Sequence, residues 1–179
     1  LVIGSCATHG AVAASPLVRQ FAGPLAAACG SVGAEQLRNR ATLGGNIANA
    51  SPAGDSLGPL AALDAIVCLD FLGTLRWVPI TELIQRPGHL CLREKEFIRE
   101  IRIPQLTDDA QWRFRKIGRR EALAISRLTL TLLLRLREDG VIAEYRAAIG
   151  AVFPRPMRFP NMEHQFIGQP LTRERLSLI

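Results

Sequence analysis

The sequence predicts a mixed α+β fold in two pieces, and three observations carry that reading. Small apolar residues with capping signals fill residues 1–29, as short helices do. Apolar runs at 65–71, 75–80 and 97–103 are separated by turn residues, as strands are. After Pro104 the texture changes, and Leu128, Leu130, Leu132, Leu134 and Leu136 fall on every second position. A helix would scatter those five side chains around its circumference, whereas a strand puts them all on one face.

Taken in order, Leu1 to Ile3 is a short strand. Thr8 stands near the cap of a helix reaching Ala14, and Ser15-Pro16 ends it; Leu17 to Cys29 is mostly helical with a break at Gly23-Pro24. Gly30 to Asp55 reads mainly as loop with short turns. Leu57 to Leu63 gives one or two helical turns, and Ala65 to Phe71 a buried strand. The turn Leu72-Gly73-Thr74 returns the chain as a second strand, Leu75 to Ile80. Thr81 to Ile84 is a short helix, Pro87-Gly88 a loop, and Phe97 to Ile103 an amphipathic strand closed by Pro104. A boundary between residues 106 and 107 separates this part from the rest. Ile125 to Val152 forms a long hairpin turning at Asp139-Gly140, because Val141, Ala143, Tyr145, Ala147 and Ile149 continue the alternation. Pro154 and Pro156 stop it, helical patterning resumes near Met162, and Leu171 to Leu176 opens a last helix.

The totals narrow the function. The 179 residues are 48% hydrophobic and 21% charged, an ordinary globular composition, and no apolar run is long enough to span a bilayer. Leu1-Val2-Ile3-Gly4 lacks the charged start of a signal peptide and reads as the interior of a longer chain. Lys plus Arg is 22 against 16 acids, which suits anionic cofactors and acidic partners. With 6% aromatic residues there is little with which to stack bases, which argues against nucleic acid. Cys6, Cys29, Cys68 and Cys91 stand apart with no CxxC pair, so no zinc ribbon or protein-ligated iron–sulfur cluster is encoded, and a reducing cytoplasm is the expected setting. Cys6 and His9 make a lone CxxH, too few ligands for a metal site. His9, His89 and His164 show no partner spacing and read as surface or structural residues; no catalytic side chain stands out.

Thr42-Leu43-Gly44-Gly45-Asn46 has neither GxGxxG nor P-loop spacing. It supplies a bend without Cβ atoms, backbone N–H groups, a hydroxyl and an amide, with Asp55 behind it as an acceptor. That set fits either a plain turn between two elements or a cradle for an anion or carbonyl.

The longer run Arg38-Asn39-Arg40-Ala41-Thr42-Leu43-Gly44-Gly45-Asn46-Ile47, with Ser51-Pro52-Ala53-Gly54-Asp55 behind it, resembles the FAD-binding subunit or domain of molybdenum hydroxylases, the family of xanthine dehydrogenase and carbon monoxide dehydrogenase medium subunits. Leu60 to Ala65, Glu96 to Pro104, Lys116 to Ser126, and Gly150 to Arg158 with Glu163 and Gly168 also look like segments of that family, so the resemblance covers nearly the whole chain. It implies the second half of a vanillyl-alcohol-oxidase-type FAD domain (residues 1–106), then a small C-terminal α/β domain with a three-stranded antiparallel sheet (residues 107–179). The family's first glycine-rich turn has no counterpart here, and the expectation is a chain lacking the first FAD subdomain.

The resemblance further implies contact with FAD through Thr42, Leu43, Gly44, Gly45 and Asn46, and through Asp55. It places Ile98 and Val32 beside the cofactor, where ordinary core packing is the equal alternative. Lys116 stands among Arg113, Arg115, Arg119 and Arg120; it reads as a flavin neighbour or as part of a solvated docking face, to which the arginines belong. Molybdopterin and 2Fe–2S clusters would lie on partner subunits, with electrons leaving through the flavin to NAD+ or another acceptor. The rival reading is an assembly subunit that keeps the fold without the flavin.

Overall fold

The computed structural model describes residues 1–120 and 123–172. The helix expected from Leu171 onward falls, from residue 173, outside the described residues. The chain opens with strand β1 (Val2–Gly4) and helices α1 (His9–Ala14), α2 (Pro16–Phe21) and α3 (Gly23–Gly30). Thr8 caps α1 as expected, its Oγ1 accepting the Ala11 N–H at 3.2 Å, and Ser15, expected only to end that helix, also caps α2, its Oγ accepting from Val18 at 3.4 Å. Pro16 and Pro24 sit in the first turns of α2 and α3, where a missing N–H costs nothing.

The first correction falls on Gly30 to Asp55. It is loop over more than half its length, but it also contains α4 (Glu35–Arg38) and α5 (Leu43–Asn49), and both glycines of the Gly44-Gly45 pair lie in the first turn of α5. Two adjacent glycines weaken a helix, but Thr42 caps it and Leu43 and Ile47, one turn apart, are fully buried beneath it. Tertiary burial has overridden local propensity.

Next come α6 (Leu57–Ala62), β2 (Ile66–Phe71), β3 (Thr74–Pro79), α7 (Ile80–Leu83), the small strands β4 (Ile84–Arg86) and β5 (His89–Leu90), and β6 (Phe97–Arg102). Leu72 and Gly73 both have positive φ (49° and 87°), which makes the two-residue turn between β2 and β3 match the strand twist. β6 inserts between β1 and β2, giving an antiparallel sheet of order β1-β6-β2-β3. Its inner face, Ile3, Val67, Leu69, Val78, Ile98 and Ile101, packs with the helices into one apolar core.

The second sheet has three long antiparallel strands, β7 (Gln111–Gly118), β8 (Ser126–Leu136) and β9 (Ile142–Gly150), with the two-residue β10 (Met157–Arg158) on the β9 edge and α8 (Pro160–Phe166) after it. The five alternating leucines do share a face, and all five are half-buried; the fully buried face of β8 is the other one, Thr129, Thr131 and Leu133. That face lies against α6, and β7 lies against α3. Close approach is possible because small residues stand at the contacts. A Cβ on Gly23 would fall 2.5 Å from the Trp112 ring.

Arg158 and Glu163 explain the C-terminal part of the sequence pattern. Glu163 is 2% exposed, accepts from Arg158 Nε at 3.1 Å and from the Ala147 N–H at 3.0 Å, and so ties α8 to β9 and β10. Burial alone would raise its carboxyl, but those donors outweigh burial and hold it below the usual carboxylate range.

Candidate functional site

The α5 turn is built from the residues before it. The chain leaving β1 runs past the start of α5, and the carbonyls of Ala7 and Ser5 accept the Leu43 and Gly44 N–H groups at 2.9 and 2.8 Å. Thr42 Oγ1 accepts from Gly45 at 3.1 Å, and the Thr42 carbonyl from Asn46 at 2.9 Å. The backbone donors that a helix start ordinarily leaves free are therefore taken. This corrects the expectation of an exposed N–H cradle at Thr42 to Asn46.

The two glycines do different things. Gly44 is buried, and a Cβ there would lie 2.6 Å from Ser5 Cβ and 2.8 Å from its carbonyl oxygen. Its bareness serves the protein's own packing. Gly45 is exposed, and a Cβ would meet only the capping hydroxyl of Thr42, at 2.8 Å. The face of α5 open to a ligand is thus Gly45 with the partly exposed Thr42 and Asn46, while Leu43 is fully buried in the core.

A left-handed Ala50 (φ 44°) ends α5, and the Ser51–Gly54 turn returns the chain to Asp55. Asp55 is 6% exposed, so its charge requires partners. Lys116 of β7 supplies one, with Nζ donating to Oδ2 at 2.5 Å, and Ser126 of β8 donates its hydroxyl to Oδ1. Lys116 also donates to the Ser31 carbonyl at 3.1 Å. Asn46 has a separate bond next to this network, its Oδ1 accepting at 2.6 Å from Ser56, the residue that follows Asp55. One run of hydrogen bonds and adjacent residues therefore leads from the α5 turn through Asn46, Ser56 and Asp55 to Lys116.

Lys116 and Ser31 line a cleft of about 620 Å³ with Gly30, Gly33, Arg119 and Arg120, a size within the range of small-molecule sites. Val32 is half-buried in the same turn, which Arg38 holds by donating to the Val32 and Gly33 carbonyls at 3.0 and 2.8 Å. Ile98, 8% exposed on β6, packs in the apolar core. The structure thus brings Asp55 and Lys116 together, bonds Asn46 to the neighbouring Ser56, leaves Val32 at the cleft's margin, and keeps Ile98 in the core.

Sequence reasoning missed three contributors. Ser126 and Ser31 carry no local signal of their own. The strand that delivers Lys116 did have one, since Trp112, Phe114, Lys116 and Gly118 alternate with the exposed Arg113, Arg115 and Ile117, but the run was read for its charge. His9 is 1% exposed and turns away from Cys6, placing Nδ1 3.3 Å from Cys29 Sγ. Burial lowers the imidazole's pKa, against the pull of Asp55, and pushes the thiol up to about 12. The pair is neutral near pH 7 and forms the polar floor behind Asp55.

Arg113, Arg115, Arg119 and Arg120 are exposed and, among the described residues, take no carboxylate partner. No group of three metal-ligating side chains occurs among the described residues, and no helix there is long and apolar enough to cross a membrane.

Residues 1–106 match the family model described as the FAD binding domain in molybdopterin dehydrogenase, and residues 112–179 match the CO dehydrogenase flavoprotein C-terminal domain. The chain is 29% identical to the nicotinate dehydrogenase FAD-subunit of Eubacterium barkeri, over 96% of its own length and 59% of that protein's. It is 30% identical to the xanthine dehydrogenase FAD-binding subunit of Escherichia coli O157:H7, over 100% and 61%. A carbon monoxide dehydrogenase structure from Hydrogenophaga pseudoflava superposes with a TM-score of 0.90 at 26% identity, covering 97% of this chain and 60% of that one. The chain therefore spans about three-fifths of the length of these relatives.

Proposed function

The chain belongs to the family of FAD-binding domains of molybdopterin dehydrogenases, and from that premise we propose that it holds FAD as the electron-transfer module of a molybdopterin-dependent hydroxylase or dehydrogenase. The observation that carries the reading is the Asp55–Lys116 pair, buried on one side and bordering the cleft on the other. The residues fit the group. FAD is a long dianion with hydroxyls and ring amides; the cleft offers cations, Asp55 an acceptor, and α5 an exposed glycine. Thr42, Gly45 and Asn46 would face it along α5, with Leu43 and Gly44 supporting that turn from below. Asp55 would accept from a hydroxyl or ring N–H, and Lys116 would offset negative charge. Val32 would border it, and Ile98 would back the site from the core.

Bound FAD supplies the redox chemistry, accepting and releasing electrons one or two at a time. The chain's own residues orient it and set its electrostatic surroundings. In this reading the division at residues 106 and 107 separates the FAD domain from the C-terminal domain. Partner subunits would carry the 2Fe–2S clusters and the molybdopterin at which substrate is oxidised, and the flavin held here would link them to NAD+ or another acceptor in the cytoplasm. The exposed arginines Arg113, Arg115, Arg119 and Arg120 suit an acidic partner surface.

The test is the absorbance of the purified complete chain, and of the chain reconstituted with FAD. A flavin band near ~450 nm is expected, lost or greatly reduced in Gly45→Val. A colourless protein that takes up no FAD sinks the proposal and leaves the assembly-subunit reading.

A further inference from the structure

Both oxygens of the Asp55 carboxylate are held by the second sheet, one by Lys116 on β7 and the other by Ser126 on β8. Ser126 is 7% exposed and pairs with Gly118 at the end of the register that also sets Lys116 opposite Thr129. A carboxylate held at one oxygen alone can pivot about that contact; held at both, it cannot. Lys116 is 14% exposed and has three N–H groups, of which two are committed, to Asp55 and to the Ser31 carbonyl. With Asp55 fixed, the ammonium is held in place as well, on a side chain that lines the cleft.

We infer that Ser126 is a positioning residue of the flavin site: its hydroxyl locks Asp55, and through Asp55 it aims the Lys116 ammonium at the cleft. This deepens the flavin reading and rests on it. Without the hydroxyl, Asp55 keeps a buried oxygen lacking its donor, turns toward Lys116 and draws the ammonium off the cleft wall. Methyl groups at this place would do nothing comparable, because the effect is transmitted by one donated hydrogen bond to a charged oxygen.

The experiment is FAD titration of the deflavinated complete chain, followed by flavin fluorescence, for the unsubstituted protein and for Ser126→Ala, Ser126→Thr and Asp55→Asn. Ser126→Ala is expected to weaken FAD binding by about tenfold, the equivalent of one hydrogen bond to a charged group. Ser126→Thr restores the affinity, since the open groove beside Ser126 accommodates the extra methyl. In the Asp55→Asn background, Ser126→Ala changes the affinity by less than about twofold, the non-additivity expected of residues acting as one unit. The same pairing is read without flavin by urea denaturation, where Ser126→Ala and Lys116→Met should also be non-additive. An unchanged affinity in Ser126→Ala overturns the inference, as does an equal loss in both backgrounds, or additive losses in urea. Failure of the flavin reading is distinct: the unsubstituted protein then binds no FAD.

Discussion

The first turn of α5 is assembled from residues 5 to 46, all within one half of the molecule, whereas Asp55 meets partners 61 and 71 residues further along the chain, on the other sheet. In the α5 turn every main-chain donor from Leu43 to Asn46 is satisfied within the protein, and Gly44 is bare so that helix and β1 turn can touch. At the Asp55 junction the contacts are charged side chains, with Lys116 still bordering open space. The comparison teaches that the conspicuous glycine motif is mainly a packing device with one exposed edge. The Asp55–Lys116 ion pair is less conspicuous in the sequence, and exists only once the second sheet has packed against the loop that carries Asp55.

Breaking the junction should have the largest effect. Lys116→Met leaves a buried carboxylate without its cation, and a loss of about 3 kcal/mol in urea denaturation is expected; adding Asp55→Asn should recover part of it. An unchanged unfolding midpoint would mean that the junction is not formed in solution. The glycines sharpen the other side. Gly44→Ala forces a Cβ into Ser5 and should cost about 2 kcal/mol, while Gly45→Ala, with better helix propensity set against a displaced cap, should be within about 1 kcal/mol of neutral. Equal losses at the two positions would show that the pair is uniformly packed.

A smaller effect belongs to the C-terminal staple. Glu163→Gln should cost about 1.5 kcal/mol at pH 7, the worth of a hydrogen bond to a charged partner. Because the folded-state pKa of Glu163 lies below its unfolded value, its contribution is present above roughly pH 4.3 and is lost as pH falls through the folded value. Thermal melts from pH 7 down to pH 3 should therefore fall less steeply in the Gln variant. The least effect is expected at the Thr129–Thr131 face, where both hydroxyls are buried without a hydrogen-bond partner among the described residues. Thr131→Val should be neutral or stabilising by up to about 1 kcal/mol, since it removes an unsatisfied polar group without changing shape.

Much of the fold was legible wherever its causes are local. The cap at Thr8, the stop at Ser15-Pro16, the Leu72-Gly73 turn and the period-two pattern of residues 126–150 each act over a few positions, and those elements form as expected. The α5 helix was not legible, because Gly-Gly opposes it and only burial of Leu43 and Ile47 repays the cost. Strand β7 was hidden by its charges, since five cations in eight residues drew attention from the alternation beneath them. The leucine stripe of β8 illustrates a third kind of limit: period two fixes which residues share a face, but not which face meets the core.

From the chain alone came the family likeness, the two-part α+β plan, and the grouping of Thr42 to Asn46 with Asp55 as candidates for cofactor contact. Only the folded molecule decided that the α5 amides are already spent, that Gly44 and Gly45 have separate tasks, and that Ser126 shares Asp55 with Lys116. The reason is physical. Capping, turn geometry and side-chain periodicity act between near neighbours and leave a local trace, whereas the satisfaction of a buried charge depends on whichever distant residues the packing of the sheets brings within hydrogen-bond reach.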